Sequence, residues 1–168
     1  DTHRFISTAS FRSLGCKWVH PGDLLICRLA EPIGRACAVP EHVGDSVTAV
    51  DCTIYRANPT VACAGYILHR LNTQEHLKAC VDVAGGSTRQ RISRGNLGAL
   101  QVPLPPLPEQ RRIAKILDTI DEVIRKTEQV IAKLQQMKQG LLYDLLTRGI
   151  DDNGELRDPV KNPEQFKE

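Results

Sequence analysis

Val102-Pro103-Leu104-Pro105-Pro106-Leu107-Pro108-Glu109-Gln110 is the stretch on which the reading of this chain turns. Four prolines within the six residues 103–108 exclude a helix interior and favour extended backbone. Pro108 then stands where a helix begins, because the N–H it lacks would have no intrahelical partner there. Glu109 lies in the first turn, where the helix dipole favours an acid. Beyond it Ile113, Leu117, Ile120, Ile124, Ile131, Leu134, Leu141 and Leu145 recur in alternating steps of 4 and 3, with polar Thr127 and Lys138 at the two remaining positions. Ile116, Val123, Val130 and Met137 widen the stripe on one flank. The spacing predicts a coiled-coil seam of about five heptads, ended by Arg148 and Gly149 as a basic last turn and a C-terminal glycine. Gly140 costs roughly 1 kcal/mol inside a helix and marks close packing or a kink.

About 40 helical residues span about 60 Å at 1.5 Å each. A domain of about 100 residues has a radius of gyration near 13 Å and cannot cover such a helix. The seam therefore needs a partner: a second copy, another part of the same polypeptide, or another subunit.

Ahead of the proline corner the chain reads as a mixed α/β module. His20-Pro21-Gly22-Asp23 is a turn, and Leu24 to Leu29 a short, largely buried strand. Pro32 and Gly34 precede a second strand from Arg35 to Val39, and Pro40 to Asp45 is another turn region. Val47, Ala49, Asp51, Thr53 and Tyr55 alternate with Thr48, Val50, Cys52 and Ile54, which predicts a strand over 47–57. One helix is expected from Val61 to Val83, stopped by Gly85-Gly86, and a last strand from Leu97 to Leu104. The fold class is thus α+β: a mixed α/β module over 1–106, a long coiled-coil helix over 107–149 and a loosely ordered acidic tail over 150–168.

The net charge of +2 does not by itself announce a nucleic-acid binder, but its distribution is uneven. Residues 1–102 carry +3, residues 103–150 carry +2 and residues 151–168 carry −3, so an acidic tail masks a basic body. Gly85 to Gly98 holds Arg89, Arg91 and Arg94 and no acid. Aromatic residues make up only 4%, too few for a stacking platform that grips single strands. At 168 residues and 41% hydrophobic, the chain can bury a core without disulfides. The six cysteines lack any C-x-x-C pair and read as reduced, buried small hydrophobes of a cytoplasmic protein. A zinc site would have to come from scattered Cys and His without ligand-pair spacing. No apolar run of about 18 residues predicts a membrane span, and Asp1-Thr2-His3-Arg4 lacks a signal-peptide pattern. The missing initiator Met points to a piece of something longer.

No catalytic motif survives inspection: there is no G-x-S-x-G, H-E-x-x-H, P-loop or calcium loop. Asn58-Pro59-Thr60-Val61 lacks the second proline and the aromatic that would stack a flipped base. Gly85-Gly86-Ser87 is not a cofactor-binding glycine loop, so no cofactor is expected. What remains is binding chemistry. Ser87, Thr88, Arg89, Gln90, Arg91 and Arg94 offer hydroxyl, amide and guanidinium groups on a glycine hinge, the groups used for phosphates and base edges. The bland alternative is a solvated basic loop. Arg28 and Arg35 flank the Pro32–Gly34 turn and face either the same groove or solvent. Lys17, Trp18 and His20 are weaker candidates, since a tryptophan is more often a core anchor than a base contact.

Several of these stretches carry a family resemblance. Gly22-Asp23-Leu24-Leu25-Ile26-Cys27-Arg28 resembles the GDLLISR strand of target-recognition domains in type I restriction-modification specificity subunits. Gly86 to Ser93 with Asn96-Leu97 is similar to that family's GSTQKRIS…NL loop. Val102 to Gln110 matches its IPLPPLPEQ signature, running on into Ile113 to Asp118, and Gly140 to Thr147 resembles its LLQQLLT-like helix end. The likeness covers residues 20–158, and the proline element followed by Glu-Gln and a heptad helix is its most specific part.

The resemblance implies a non-catalytic subunit that holds double-stranded DNA through residues 1–106, with Arg28, Arg35, Ser87, Thr88, Arg89, Gln90, Arg91 and Arg94 as candidate contacts. It implies that the long helix is a spacer and a docking site for methyltransferase (modification) subunits, which a restriction subunit joins. Leu107, Pro108, Glu109, Gln110 and the seam from Ile113 to Leu145 are the candidate docking residues, although Glu109 and Gln110 could equally serve as first-turn caps. A full-length subunit of this kind carries two recognition domains and two antiparallel spacer helices that fix the gap in a bipartite target. Here there is one of each, and the recognition domain looks short at its N-terminus. Two readings follow: the C-terminal part of a two-domain subunit, or a half-subunit that dimerises onto symmetric half-sites. A different class of function stays open beside them, a coiled-coil interaction protein acting as assembly factor or decoy for the modification subunit without reading DNA.

Overall fold

The Pro21-Gly22 turn starts the central strand of the molecule. Gly22 stands at φ 83°, in the left-handed region that favours glycine. Asp23 beside it accepts the His20 N–H at 2.8 Å and both Nε and Nη2 of Arg56, at 2.8 and 2.9 Å. In this computed structural model, which describes residues 5–161 apart from 30, 45 and 49, together with 163 and 166, the chain runs α1 (Thr8–Ser13), β1 (Trp18–Val19), β2 (Leu24–Cys27), β3 (Ala36–Ala38), β4 (Ser46–Val47), β5 (Cys52–Tyr55), α2 (Ala64–Leu71), α3 (Gln74–Asp82), α4 (Arg94–Ala99) and α5 (Leu107–Arg148). Asp1 to Arg4, Asp45, Ala49 and five residues of the tail, to which parts of the sequence reading refer, lie outside the described residues.

Strand β2 is the centre of an antiparallel sheet ordered β3-β2-β5, with Leu25 opposite Cys37 on one side and Ile54 on the other. Strands β1 and β4 form a separate two-stranded pair, Trp18 opposite Val47. The expected strand over 47–57 is therefore two short strands in two different sheets. Along β2 the buried residues are Leu24 and Ile26 and the half-buried ones Leu25 and Cys27, the two-residue period of a sheet with one covered face. Leu24 and Ile26 join Ile33, Tyr66, Ile67, Leu71, Ile92 and Leu97 in the core. Removal of each such side chain from water stabilises the fold by roughly 1.5–3 kcal/mol before the entropy of ordering is subtracted.

The single helix expected over 61–83 is two helices. Asn72 breaks it: its side-chain oxygen accepts the Ala36 N–H at 3.0 Å, and its amide donates to Ala36 O and Leu68 O at 2.9 and 3.0 Å. Thr73 then caps α3, accepting the His76 N–H at 3.3 Å. The expected last strand at 97–104 is also corrected. Ser93 caps a short helix through Asn96 N–H at 2.9 Å, so residues 94–99 are helical and residues 101–106 run on to α5 without forming a strand.

The chain divides into two units, residues 1–118 and residues 119–168, and α5 contributes to both. In the first unit, α5 begins against α2. Gly65 lets the helices approach, since a Cβ there would sit 3.3 Å from Ala114 Cβ. The Tyr66 hydroxyl donates to Pro103 O at 2.9 Å, and His69 Nε2 lies 2.8 Å from Asp118. In the second unit α5 ends at Gly149, whose φ is 69° and whose N–H bonds Leu145 O at 3.0 Å. The tail's start is more ordered than its composition suggests: a bridge between Ile150 and Leu156 closes a hairpin around Asp151, which accepts the Asn153 and Glu155 N–H groups at 2.9 Å. Arg157 returns onto it, its N–H reaching Gly149 O.

All six cysteines are free. Only Cys80 is buried, however, and Cys37 is exposed, so the expectation of six buried thiols is wrong for five of them. Short strands with one covered face leave alternate positions such as Cys27, Cys37 and Cys52 open, while Cys16 and Cys63 lie outside the strands. Trp18 is 44% exposed and stacks on Phe11 rather than anchoring the core.

Candidate nucleic-acid interface

The basic loop is a closed structure. Gly85 and Arg91 exchange both backbone hydrogen bonds, at 3.0 and 2.8 Å, and leave Gly86, Ser87, Thr88, Arg89 and Gln90 as an exposed five-residue loop between them. Gly86 stands at φ 112°, and a Cβ there would collide with the Arg89 carbonyl. The tight return is open only to glycine. The next residue after the bridge, Ile92, is fully buried and donates its N–H to Arg28 O at 3.0 Å, which ties the loop to the end of β2.

Arg28 is where the structure corrects the sequence most. It is 5% exposed, not a surface charge on a hairpin. Its guanidinium donates to Val50 O and, at 3.4 Å, to Ile92 O, while its buried Nε has no hydrogen-bond partner among the described residues. Burial pushes its pKa below the ordinary arginine value, and repulsion from Arg91 and Arg94 adds to the effect, with Asp51 opposing it. Arg91 pairs with Asp51 at 2.7 Å. Arg94 opens α4, whose first turn holds no acid. A cation at a helix N-terminus adds to the positive end of the dipole instead of cancelling it.

Arg91 and Arg94 thus both crowd the Arg28 guanidinium, and Asp51, paired with Arg91, offsets part of their charge. A cavity of about 480 Å³ is lined by Arg28, Val50, Arg91, Ser93 and Arg94. A second, of about 380 Å³, shares Val50 and Arg94 with it and extends to Lys17, Thr48 and Cys52. Concave walls carrying one sign of charge attract anions. Asp51 and Val50 were not singled out in the sequence, and no local signal marks a residue that meets Arg91 from 40 positions away. Arg35 is exposed between β2 and β3, and among the described residues no hydrogen bond or ion pair joins it to this cluster.

The candidate docking residues divide likewise. Gln110 is 1% exposed and unavailable to a partner. Its oxygen accepts the Cys63 N–H at 2.9 Å, and its amide donates to Val61 O at 3.1 Å and Pro105 O at 2.8 Å. It is a tertiary clamp, not a first-turn cap. Pro108 and Glu109 are exposed, and Leu107, Ile113 and Leu117 are half-buried. Ile120, Ile124, Ile131, Leu134, Leu141 and Leu145 are between 44% and 57% exposed, and the flank from Ile116 to Met137 is open as well. Among the described residues no group of three His, Cys, Asp or Glu is placed to hold a metal ion, and no helix is long and apolar enough to cross a membrane.

Comparison with known proteins agrees with this architecture. A computed match to the family described as "Type I restriction modification DNA specificity domain" covers residues 17–136. A putative type I restriction enzyme MjaX specificity subunit of Methanocaldococcus jannaschii is 28% identical over 132 residues, 77% of this chain and 31% of that protein. The MjaVIII specificity subunit of the same organism is 41% identical over 51 residues, 30% of this chain and 12% of that protein. The HsdS subunit from Thermoanaerobacter tengcongensis has a similar fold, with TM-score 0.59, 20% identity and coverage of 85% of this chain and 37% of that one. A chain from a study of complex assembly and conformational transition of the type I R-M system aligns with TM-score 0.64 at the same identity and coverage. This chain spans about a third of the length of the MjaX subunit and of both solved chains. With the family matched over more than half its residues, the chain belongs to the type I restriction modification DNA specificity domains.

Proposed function

We propose that this chain is a non-catalytic DNA-reading module of a type I restriction-modification specificity subunit, working in the cytoplasm on double-stranded DNA. The observation that carries the reading is the gathering of Arg91 and Arg94 at buried Arg28, with Asp51 offsetting part of their charge, beside a pinned and exposed loop. Such an excess of positive charge is complemented by phosphate, and the loop above it presents Ser87, Thr88, Arg89 and Gln90 to base edges or backbone. Arg28 supports the loop from beneath, and Arg35 is a peripheral contact. Residues 1–106 are the recognition part, 107–149 the spacer and 150–168 an acidic tail.

The exposed apolar stripe of α5 supports a docking role. It pairs with a second spacer helix, in a longer polypeptide or a second copy, and offers Leu107, Pro108 and Glu109 to a methyltransferase subunit, with the restriction subunit joining that assembly. Two such modules would read the two parts of a bipartite target.

The test is light scattering of the chain with a short duplex library at low and moderate salt, for the unaltered protein and for Arg89→Glu with Arg94→Glu. Duplex binding that weakens steeply with salt in the first, and is lost in the second with self-association unchanged, is the expected result. Each phosphate contact removed flattens the logarithmic salt slope by about 0.9. A chain that self-associates but ignores every duplex overturns DNA reading and leaves an assembly factor or decoy.

A further inference from the structure

Three cysteines share one face of the three-stranded sheet. Side chains alternate across a strand, so Leu25 and Cys27 of β2, Cys37 of β3, and Cys52 and Ile54 of β5 point to the same side. It is the less buried face. Within it, Cys27 and Cys52 are directly opposite one another. The hydrogen bonds fix what kind of pair they are. Cys27 spends both main-chain groups towards β3, its N–H on Arg35 O at 2.9 Å and its carbonyl on Gly34 N at 2.8 Å. The bond towards β5 comes one residue later, from Arg28 N to Asp51 O at 2.7 Å. Cys27 and Cys52 therefore form a non-hydrogen-bonded antiparallel pair, in which Cα atoms lie about 4.5 Å apart and side chains approach most closely. That separation falls at the short end of the range a disulfide spans, about 4.4–6.8 Å.

Access is provided on one side. Cys52 lines the cavity of about 380 Å³ between the α1–β1 connection and β5, while Cys27 does not. Both thiols are free and only half-buried.

We propose that Cys27 and Cys52 are a thiol–disulfide exchange site, with a small-molecule disulfide as oxidant. The Cys52 thiolate, its proton released to solvent, attacks one sulfur of the oxidant. The oxidant's S–S bond breaks, one thiolate leaves and takes up a proton, and a mixed disulfide remains on Cys52. The Cys27 thiolate then attacks the Cys52 sulfur and expels the second thiolate. Two protein thiols are oxidised to one disulfide, and one small-molecule disulfide is reduced to two thiols. The exchange does not depend on the DNA-reading function.

The experiment incubates the full chain with oxidised glutathione, traps remaining thiols with a maleimide, and reads intact mass and linked peptides. The expected product carries four maleimides where the fully reduced chain carries six and, those additions apart, is two hydrogens lighter, with a peptide joining Cys27 to Cys52. Cys27→Ser should stop at a glutathione adduct on Cys52, and prior unfolding in urea should scatter the pairing among the six cysteines. A stable glutathione adduct on Cys52 in the unaltered chain, a bond from Cys52 to Cys16 or to Cys37, or four unmodified thiols at 16, 27, 37 and 52 would each overturn the proposal.

Discussion

Residues 1–118 and residues 119–168 obtain their structure in opposite ways. In the first unit, single side chains satisfy main-chain groups far away in sequence: Arg28 on residues 50 and 92, Asn72 on residue 36, Gln110 on residues 61 and 63. In the second, the side-chain bonds at residues 122–127 and 143–157 are local. Thr127 and Thr147 return to carbonyls four residues back, Lys126 pairs with Glu122, and the hairpin at 150–157 folds on itself. The first unit owes its stability to a core. The second presents an amphipathic helix whose apolar face is bare, and helices of that kind owe most of their stability to whatever covers that face. One continuous helix can thus start inside a packed unit and carry a bare apolar stripe beyond it.

The contrast is tested most strongly in the core. Leu24→Ala removes a side chain only 1% exposed and should cost about 3 kcal/mol in urea unfolding. Gln110→Ala, expected at about 2 kcal/mol by the same measurement, leaves an N–H and two carbonyls at the proline corner without their partner. A smaller effect should appear as pH dependence. Burial holds the His76 pKa below its ordinary value, with the Arg70 charge adding to the shift, and its ring lies 3.3 Å from the Cys80 sulfur. The unfolded chain therefore binds a proton at about pH 6.5 that the native chain resists, and stability falls as pH drops below that value towards the lowered native pKa. In His76→Gln the urea midpoint should lose this slope between pH 7.5 and pH 5.5, a window given by the ordinary histidine value. The smallest effect belongs to Leu134→Ala, 57% exposed, which should stay within about 0.5 kcal/mol at low chain concentration. If it costs as much as Leu24→Ala, the stripe is covered in solution and the second unit has a core after all.

The same contrast explains what could be read in advance. The proline corner, the seam and Gly149 are local signals, each carrying its physical reason within a few residues, and the helix they predict runs from Leu107 to Arg148. Strands β2 and β3 were legible for the same reason, a turn followed by an apolar run. The break at Asn72-Thr73 was half legible: Thr73 is an ordinary N-cap residue, but the decisive bonds go to Ala36. Arg28 and Gln110 were not legible. Each is polar, stands where a surface role is the natural reading, and is buried because backbone groups elsewhere need it. The basic loop stood out through its composition, whereas Asp51 joins it only through the register of β2 with β5.

The clamp at the proline corner has a consequence for how sequences of this kind can drift. The hydrogen bonds of the Gln110 amide go to main-chain atoms of residues 61, 63 and 105. Every amino acid has the carbonyls it donates to, and every one except proline has the N–H it accepts. Exchange at Val61 and Cys63, proline at 63 apart, therefore leaves the main-chain partners of Gln110 in place. Three of the hydrogen bonds that hold the corner come from one glutamine, and two chains that agree there can differ at 61 and 63 and still make the same three bonds.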